Sequence, residues 1–77
     1  MTLKRVIRIF DRLNDELVDE VDLPQLDIKL LRRIFNQESD NPMFDCYAIN
    51  KEQAEFICLY VKIDYQFDKF EYFLELK

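Results

Sequence analysis

Apolar and polar positions alternate at both ends of the chain and recur at helical spacing in the middle. Residues 2–10, TLKRVIRIF, place Leu3, Ile7 and Ile9 on one side and Lys4, Val6, Arg8 and Phe10 on the other, which predicts a strand. Residues 11–15, DRLND, read as a turn with Asn14 in the left-handed region, where asparagine substitutes for glycine. Residues 16–22 then return as the second strand of a hairpin, with Leu17 and Val21 on one face and Val18, Glu20 and Asp22 on the other. Leu23-Pro24 stops it. Asp27 is placed as an N-cap, with Leu26 and Leu31 spaced as a hydrophobic staple. A helix over 28–36 would bury Ile28, Leu31, Ile34 and Phe35 and expose Lys29, Arg32, Arg33 and Asn36. Residues 37–42, QESDNP, have loop composition.

The same reading continues through the second half. Residues 43–48, MFDCYA, predict a third strand with Phe44, Cys46 and Ala48 inward and Met43, Asp45 and Tyr47 outward. Asn50 and Gln53 have capping-box spacing. They open a second helix with Ala54, Ile57, Cys58 and Val61 on its core stripe and Phe56 and Tyr60 on a flank. Residues 63–68 read as loop. Residues 69–76, KFEYFLEL, predict a final strand with Phe70, Tyr72, Leu74 and Leu76 inward.

The order β-β-α-β-α-β describes one small α+β domain spanning residues 1–77, in two layers. Right-handed crossovers would set both helices on one face of a four-stranded mixed sheet, with the strand order left open. The other sheet face would then be bare. Its expected lining is Lys4, Val6, Arg8, Phe10, Val18, Glu20, Asp22, Asp45, Tyr47, Glu71, Phe73 and Glu75.

Composition narrows what that face can do. The chain of 77 residues has no glycine and no histidine, one serine (Ser39) and one threonine (Thr2). Average usage would supply about 5 glycines at this length. Phosphate-cradling loops need glycine, and most general-base and metal chemistry relies on histidine. Acids outnumber bases 16 to 11, for a net charge of −5. They crowd residues 11–27, where Asp11, Asp15, Glu16, Asp19, Glu20, Asp22 and Asp27 face Arg12 alone. Such a surface repels phosphate backbones and anionic membranes and attracts basic proteins. Seven of the aromatic residues lie between Phe56 and Phe73.

Candidate catalytic arrangements fail one by one. Ser39 has no histidine to activate it. Cys46 and Cys58 fall on expected core faces, where a thiol's pKa rises; both are expected to be reduced. The hairpin carboxylates could form an acid–base pair, but they more simply solvate an edge and blunt aggregation. The segment DRLNDELVDEVD resembles a calcium loop only in acidity, since Leu13 sits where an oxygen ligand belongs and the sixth position lacks glycine. No Cys/His spacing suits zinc. Lys29, Arg32 and Arg33 share a helical face, yet three cations on an acidic chain make a solvated face more often than a nucleic-acid site. No cofactor, direct nucleic-acid partner, membrane partner or enzymatic activity is therefore expected. No apolar run approaches the roughly 20 residues of a membrane span, and no basic-then-apolar leader pattern precedes Leu3, so a cytoplasmic location is expected.

The remaining signal is an acidic surface bearing rings. Asp19, Glu20, Asp22, Asp45, Tyr47, Glu71, Phe73 and Glu75 are the candidate partner-binding residues, with Phe10 and Val6 as further apolar anchors. The partner would be a basic protein or a second copy of the chain.

Three segments carry a resemblance: VIRIFDRLNDELVDEVDLP, NPMFDCYAI and FEYFLEL. Together they resemble small bacterial domains encoded beside polymorphic toxins, in particular the immunity proteins of contact-dependent growth inhibition systems. The resemblance implies a cytoplasmic inhibitor that binds a cognate toxin domain, often a nuclease, and blocks its active site or substrate access. It carries no residue roles over, because each immunity protein uses its own surface. A homodimeric structural or regulatory interaction module is the alternative.

Overall fold

The computed structural model describes residues 4–77, so Thr2 and Leu3 of the first expected strand lie outside the described residues. The elements are β1 (Arg5–Asp11), β2 (Leu17–Asp22), α1 (Ile28–Ile34), β3 (Tyr47–Ala48), α2 (Lys51–Ile57) and β4 (Phe70–Leu76). The chain order matches the sequence reading. The sheet runs β2-β1-β4-β3, and every neighbouring pair is antiparallel.

The mixed sheet expected from two crossovers is therefore corrected. A parallel crossover must carry the chain back along the length of a strand, roughly 23 Å for seven residues. The seven-residue α2 rises only about 10 Å. The chain instead spends residues 58–69 on an irregular segment and enters β4 antiparallel to β3.

Both helices begin as their sequences require. The Asp27 carboxylate accepts from the Lys29 backbone N–H at 2.9 Å. Asn50 and Gln53 form the full reciprocal capping box, at 2.8 and 3.0 Å. Asn36 ends α1 at φ 53°, the left-handed geometry that asparagine tolerates. In the hairpin turn the residue at positive φ is Asp15 (57°), not Asn14. Asn14 instead braces the turn by accepting from the Glu16 N–H at 3.0 Å.

One apolar cluster joins the layers. It takes Ile7 and Ile9 from β1, Tyr72 and Leu74 from β4, Leu31 and Phe35 from α1 and its end, and Ala54 and Ile57 from α2. Helix residues from both helices thus pack on the sheet face that carries Ile7, Ile9, Tyr72 and Leu74. The segment between α2 and β4 adds a ring cluster, with Tyr65 stacked on Phe67 at 5.4 Å and both edged by Tyr72. The Tyr72 hydroxyl accepts from the Gln66 N–H at 2.8 Å. Desolvation pushes the Tyr65 phenol well above its ordinary value, with Cys58 and Tyr72 adding to the effect.

The third strand departs most from its pattern. Only Tyr47 and Ala48 pair with β4, and Met43 takes a positive φ of 56°. The residues before Tyr47 consequently do not alternate as a strand. Met43 is buried in the core, Phe44 and Cys46 are exposed, and Tyr47 packs against the core, its ring 5.8 Å from Phe35. The expected sides of Met43, Phe44, Cys46, Tyr47 and Ala48 are reversed, while Asp45 is exposed as expected. Cys46 is not a core thiol, and Cys58 is only partly buried; both are free.

Candidate protein-interaction face

The register builds the helix-free face residue by residue. Alternation along β1 sends Val6, Arg8 and Phe10 opposite to the buried Ile7 and Ile9. Across β1, Val6 lies beside Asp22 and Glu75, Arg8 beside Glu20 and Phe73, and Phe10 beside Glu71. The β1–β2 register shifts by one between Ile9 and Phe10. Leu17 is thereby set opposite Phe10, and Val18 becomes the extra residue of a bulge. Such a shift exchanges faces. Leu17 joins the bare face, while Val18 lines a groove on the helix side with Ile9, Val21 and Tyr72. The sequence assignment of those two residues is corrected accordingly.

Of the candidate residues, Glu20, Asp22, Glu71, Phe73 and Glu75 come together on this face. Asp19 does not, since it pairs with Ile9 and lines the helix-side groove. Tyr47 does not either: it pairs with Leu74, and its hydroxyl accepts from Asn41 at 3.2 Å. Asp45 is exposed, outside the strand. Val6 is fully buried and offers no anchor, although it points to the bare face.

The electrostatics differ from an open acidic surface. Arg8 sits between two acids, its Nε 3.1 Å from Glu20 Oε2 and its Nη1 3.2 Å from Glu75 Oε1. Lys77 Nζ reaches the other Glu20 oxygen at 2.9 Å. Arg12 donates to the Phe67 carbonyl at 2.6 Å and to Glu71 at 3.4 Å. Three carboxylates of the face (Glu20, Glu71, Glu75) thus meet three cations (Arg8, Arg12, Lys77), whereas Asp22, and Asp15 beside the two rings, make no ion pair among the described residues. Sequence alternation placed Arg8 on this face. It could not show that the acids would be neutralised, because Lys77 and Arg12 come from distant points of the chain.

Hydrogen bonds from Lys77 and then Arg8 hold the Glu20 carboxyl below its ordinary value of 4.5. The same contact with Glu20 raises Lys77 above 10.5. A lowered carboxyl stabilises the fold above its unfolded pKa, and that contribution disappears as pH falls through the folded pKa. A raised ammonium contributes below its unfolded pKa, and its share disappears as pH rises through the folded one. Glu20→Gln is therefore expected to lower the melting temperature at pH 7, and the deficit is expected to shrink as the pH falls to 3. Thermal melts at the two pH values check this, and an equal deficit at both would remove the ion pairs from the account.

Between the ion pairs lies an apolar centre. Phe10 and Phe73 meet edge to face, with centroids 5.6 Å apart and planes at 78°. A shallow groove there is lined by both rings together with Cys46, Asp15, Glu71 and Glu75. Desolvation, and secondarily Glu75, raise the Cys46 thiol above its ordinary 9.0, which lowers its thiolate fraction at neutral pH. Leu17 is half exposed beside Phe10. Leu17 and Cys46 were missed because each needed an irregularity, a bulge or a broken strand, to arrive here.

A second apolar patch lies at the end of α2, where Phe56, Leu59 and Tyr60 are exposed. Among the described residues, no group of three or more His, Cys, Asp or Glu is placed to hold a metal ion. No helix there is long and apolar enough to cross a membrane.

A family model described as a domain of unknown function, DUF7683, matches residues 4–75. No curated protein and no solved structure matches the chain. The chain belongs to the DUF7683 family.

Proposed function

We propose that the protein is a cytoplasmic immunity protein that binds a cognate toxin domain, of nuclease type, and blocks its active site or substrate access without catalysing a reaction. The observation that carries the binding role is the helix-free face, where the Phe10–Phe73 pair is ringed by the Arg8–Glu20–Glu75, Lys77–Glu20 and Arg12–Glu71 ion pairs. An apolar centre within a polar rim is the common anatomy of a protein interface. The resemblance of the three sequence segments supports the class of partner. The excess of acids supports a basic one, because the net charge of −5 attracts a surface built to hold phosphates.

The toxin domain encoded by a neighbouring gene is the partner to test. Co-expression is expected to give a stable complex and to protect cells from that domain. Failure to protect, with both proteins folded, overturns the proposal. Charge steering is best probed at Asp22, an acid of the face that makes no ion pair among the described residues. Asp22→Lys is expected to slow association several-fold at low salt and to leave dissociation nearly unchanged. Reversing Glu20 or Glu71 would mix steering with the loss of an ion pair.

One observation favours a second reading, the homodimeric interaction module. The ion pairs neutralise Glu20, Glu71 and Glu75, so two copies can meet there with less repulsion than their net charge implies. Sedimentation at high protein concentration distinguishes the readings, since a strict monomer excludes the dimer.

A further inference from the structure

The outward side of α1 concentrates positive charge on an otherwise acidic chain. Lys29, Arg32 and Arg33 line an open groove of about 530 Å³ with Asn36, Gln37 and Ser39. Among the described residues, none of the three cations pairs with a carboxylate, although acids outnumber bases 16 to 11. Glu38 and Asp40 flank Ser39 in the chain, and neither lines the groove.

The groove is also held in shape. Half-buried Arg32 donates its Nε to the Asn41 carbonyl at 2.6 Å, which fixes the guanidinium and leaves its two terminal nitrogens to donate elsewhere. The loop that supplies Ser39 is tied down on both sides. The Gln37 N–H donates to the Arg32 carbonyl at 2.7 Å, and the Asn41 amide donates to the Gln37 side chain at 2.9 Å. Complementing the helix dipole accounts for Arg32 and Arg33 in the last turn. It does not account for Lys29, which lies in the first turn, where a cation is unfavourable.

We propose that this groove binds a single phosphate group, as the free anion or as a phosphomonoester, with the fixed Arg32 guanidinium as a bidentate donor and Lys29 and Arg33 completing the charge. A planar, preorganised guanidinium matches an oxyanion with two parallel hydrogen bonds. A compact dianion suits three cations lining one groove, whereas the overall charge of −5 opposes a long polyanion. The site lies on α1, away from the helix-free sheet face, and does not depend on the toxin-binding reading.

The test is a titration of the full chain followed by NMR of backbone amides and arginine Nε groups. Its arms are inorganic phosphate, O-phosphoserine and, at matched ionic strength, acetate. Saturable shifts are expected at Lys29, Arg32, Arg33, Gln37 and Ser39 with the two phosphates and not with acetate. Tighter binding of O-phosphoserine identifies an ester ligand; tighter binding of phosphate identifies the free anion. The double variant Lys29→Gln, Arg33→Gln changes only exposed side chains and keeps the Arg32–Asn41 bond, and it is expected to weaken binding at least about tenfold. Non-saturating shifts that are as large at Lys51, Lys62 and Lys69, or equal shifts with acetate, would overturn the proposal.

Discussion

Ile7→Ala is expected to leave the protein largely unfolded near 37 °C. Ile7 is fully buried at the centre of β1, paired with Val21 on one side and Leu74 on the other. It lies in the cluster that joins the sheet to both helices. Truncating such a residue to alanine removes about 2–5 kcal/mol through lost transfer energy and a residual cavity. A 77-residue chain holds only about 4–12 kcal/mol in total. At this size each kcal/mol shifts the melting temperature by about 4–8 °C, so a drop of at least about 8 °C is expected. Ile7→Val, which removes one methylene, should cost only about 0.5–1.5 kcal/mol. Circular dichroism melts of both variants check the series. A shift of only a few degrees for Ile7→Ala would mean that the two layers do not share a single core.

Phe73→Ala is expected to weaken partner binding by about 30-fold or more, mostly through faster dissociation. A central aromatic anchor commonly contributes 2 kcal/mol or more on truncation, and about 1.4 kcal/mol corresponds to tenfold. Interface substitutions act chiefly on the dissociation rate. Phe73 sits at the middle of the helix-free face, directly across from Arg8 and edge to face with Phe10. Loss of that ring pair also costs the fold about 0.5–1.5 kcal/mol, so stability must be followed in parallel. Phe73→Leu retains apolar bulk and should recover part of the affinity. Phe56→Ala, in the exposed patch on α2, is the comparison. If Phe56→Ala abolishes binding while Phe73→Ala does not, the partner sits on the helix layer and the face assignment is wrong.

Local chemistry was legible wherever neighbours in sequence are also neighbours in space. The Asn50–Gln53 capping box and the Asp27 cap both act within three residues, and both are found as read. The final strand alternates cleanly, and Tyr72 and Leu74 are buried as its pattern requires. The segment 43–48 misled because its alternation presumes an extended chain, and the positive φ at Met43 breaks that presumption. Past the break Phe44, Cys46 and Ala48 are exposed and Tyr47 packs against the core, the reverse of the expectation, while Asp45 is exposed as expected. The bulge at Val18 acts in the same way on a smaller scale, moving Leu17 onto the bare face.

The number and order of the elements, the caps that start both helices, the two-layer class and the absence of histidine from any site are legible in the residues alone. These follow from side-chain periodicity and from short-range hydrogen bonding, both of which are written locally. The antiparallel sheet, the strand order β2-β1-β4-β3 and the pairing of the acidic residues emerge only once the chain is folded. Net charge is a sum over residues, but a surface potential depends on which charges meet. Register brings Arg8 between Glu20 and Glu75, and strand ends bring Lys77 to Glu20 across 57 positions of chain. The face expected to be openly acidic is for that reason a largely ion-paired rim around two phenyl rings, while three cations without ion pairs among the described residues, Lys29, Arg32 and Arg33, line one groove on α1.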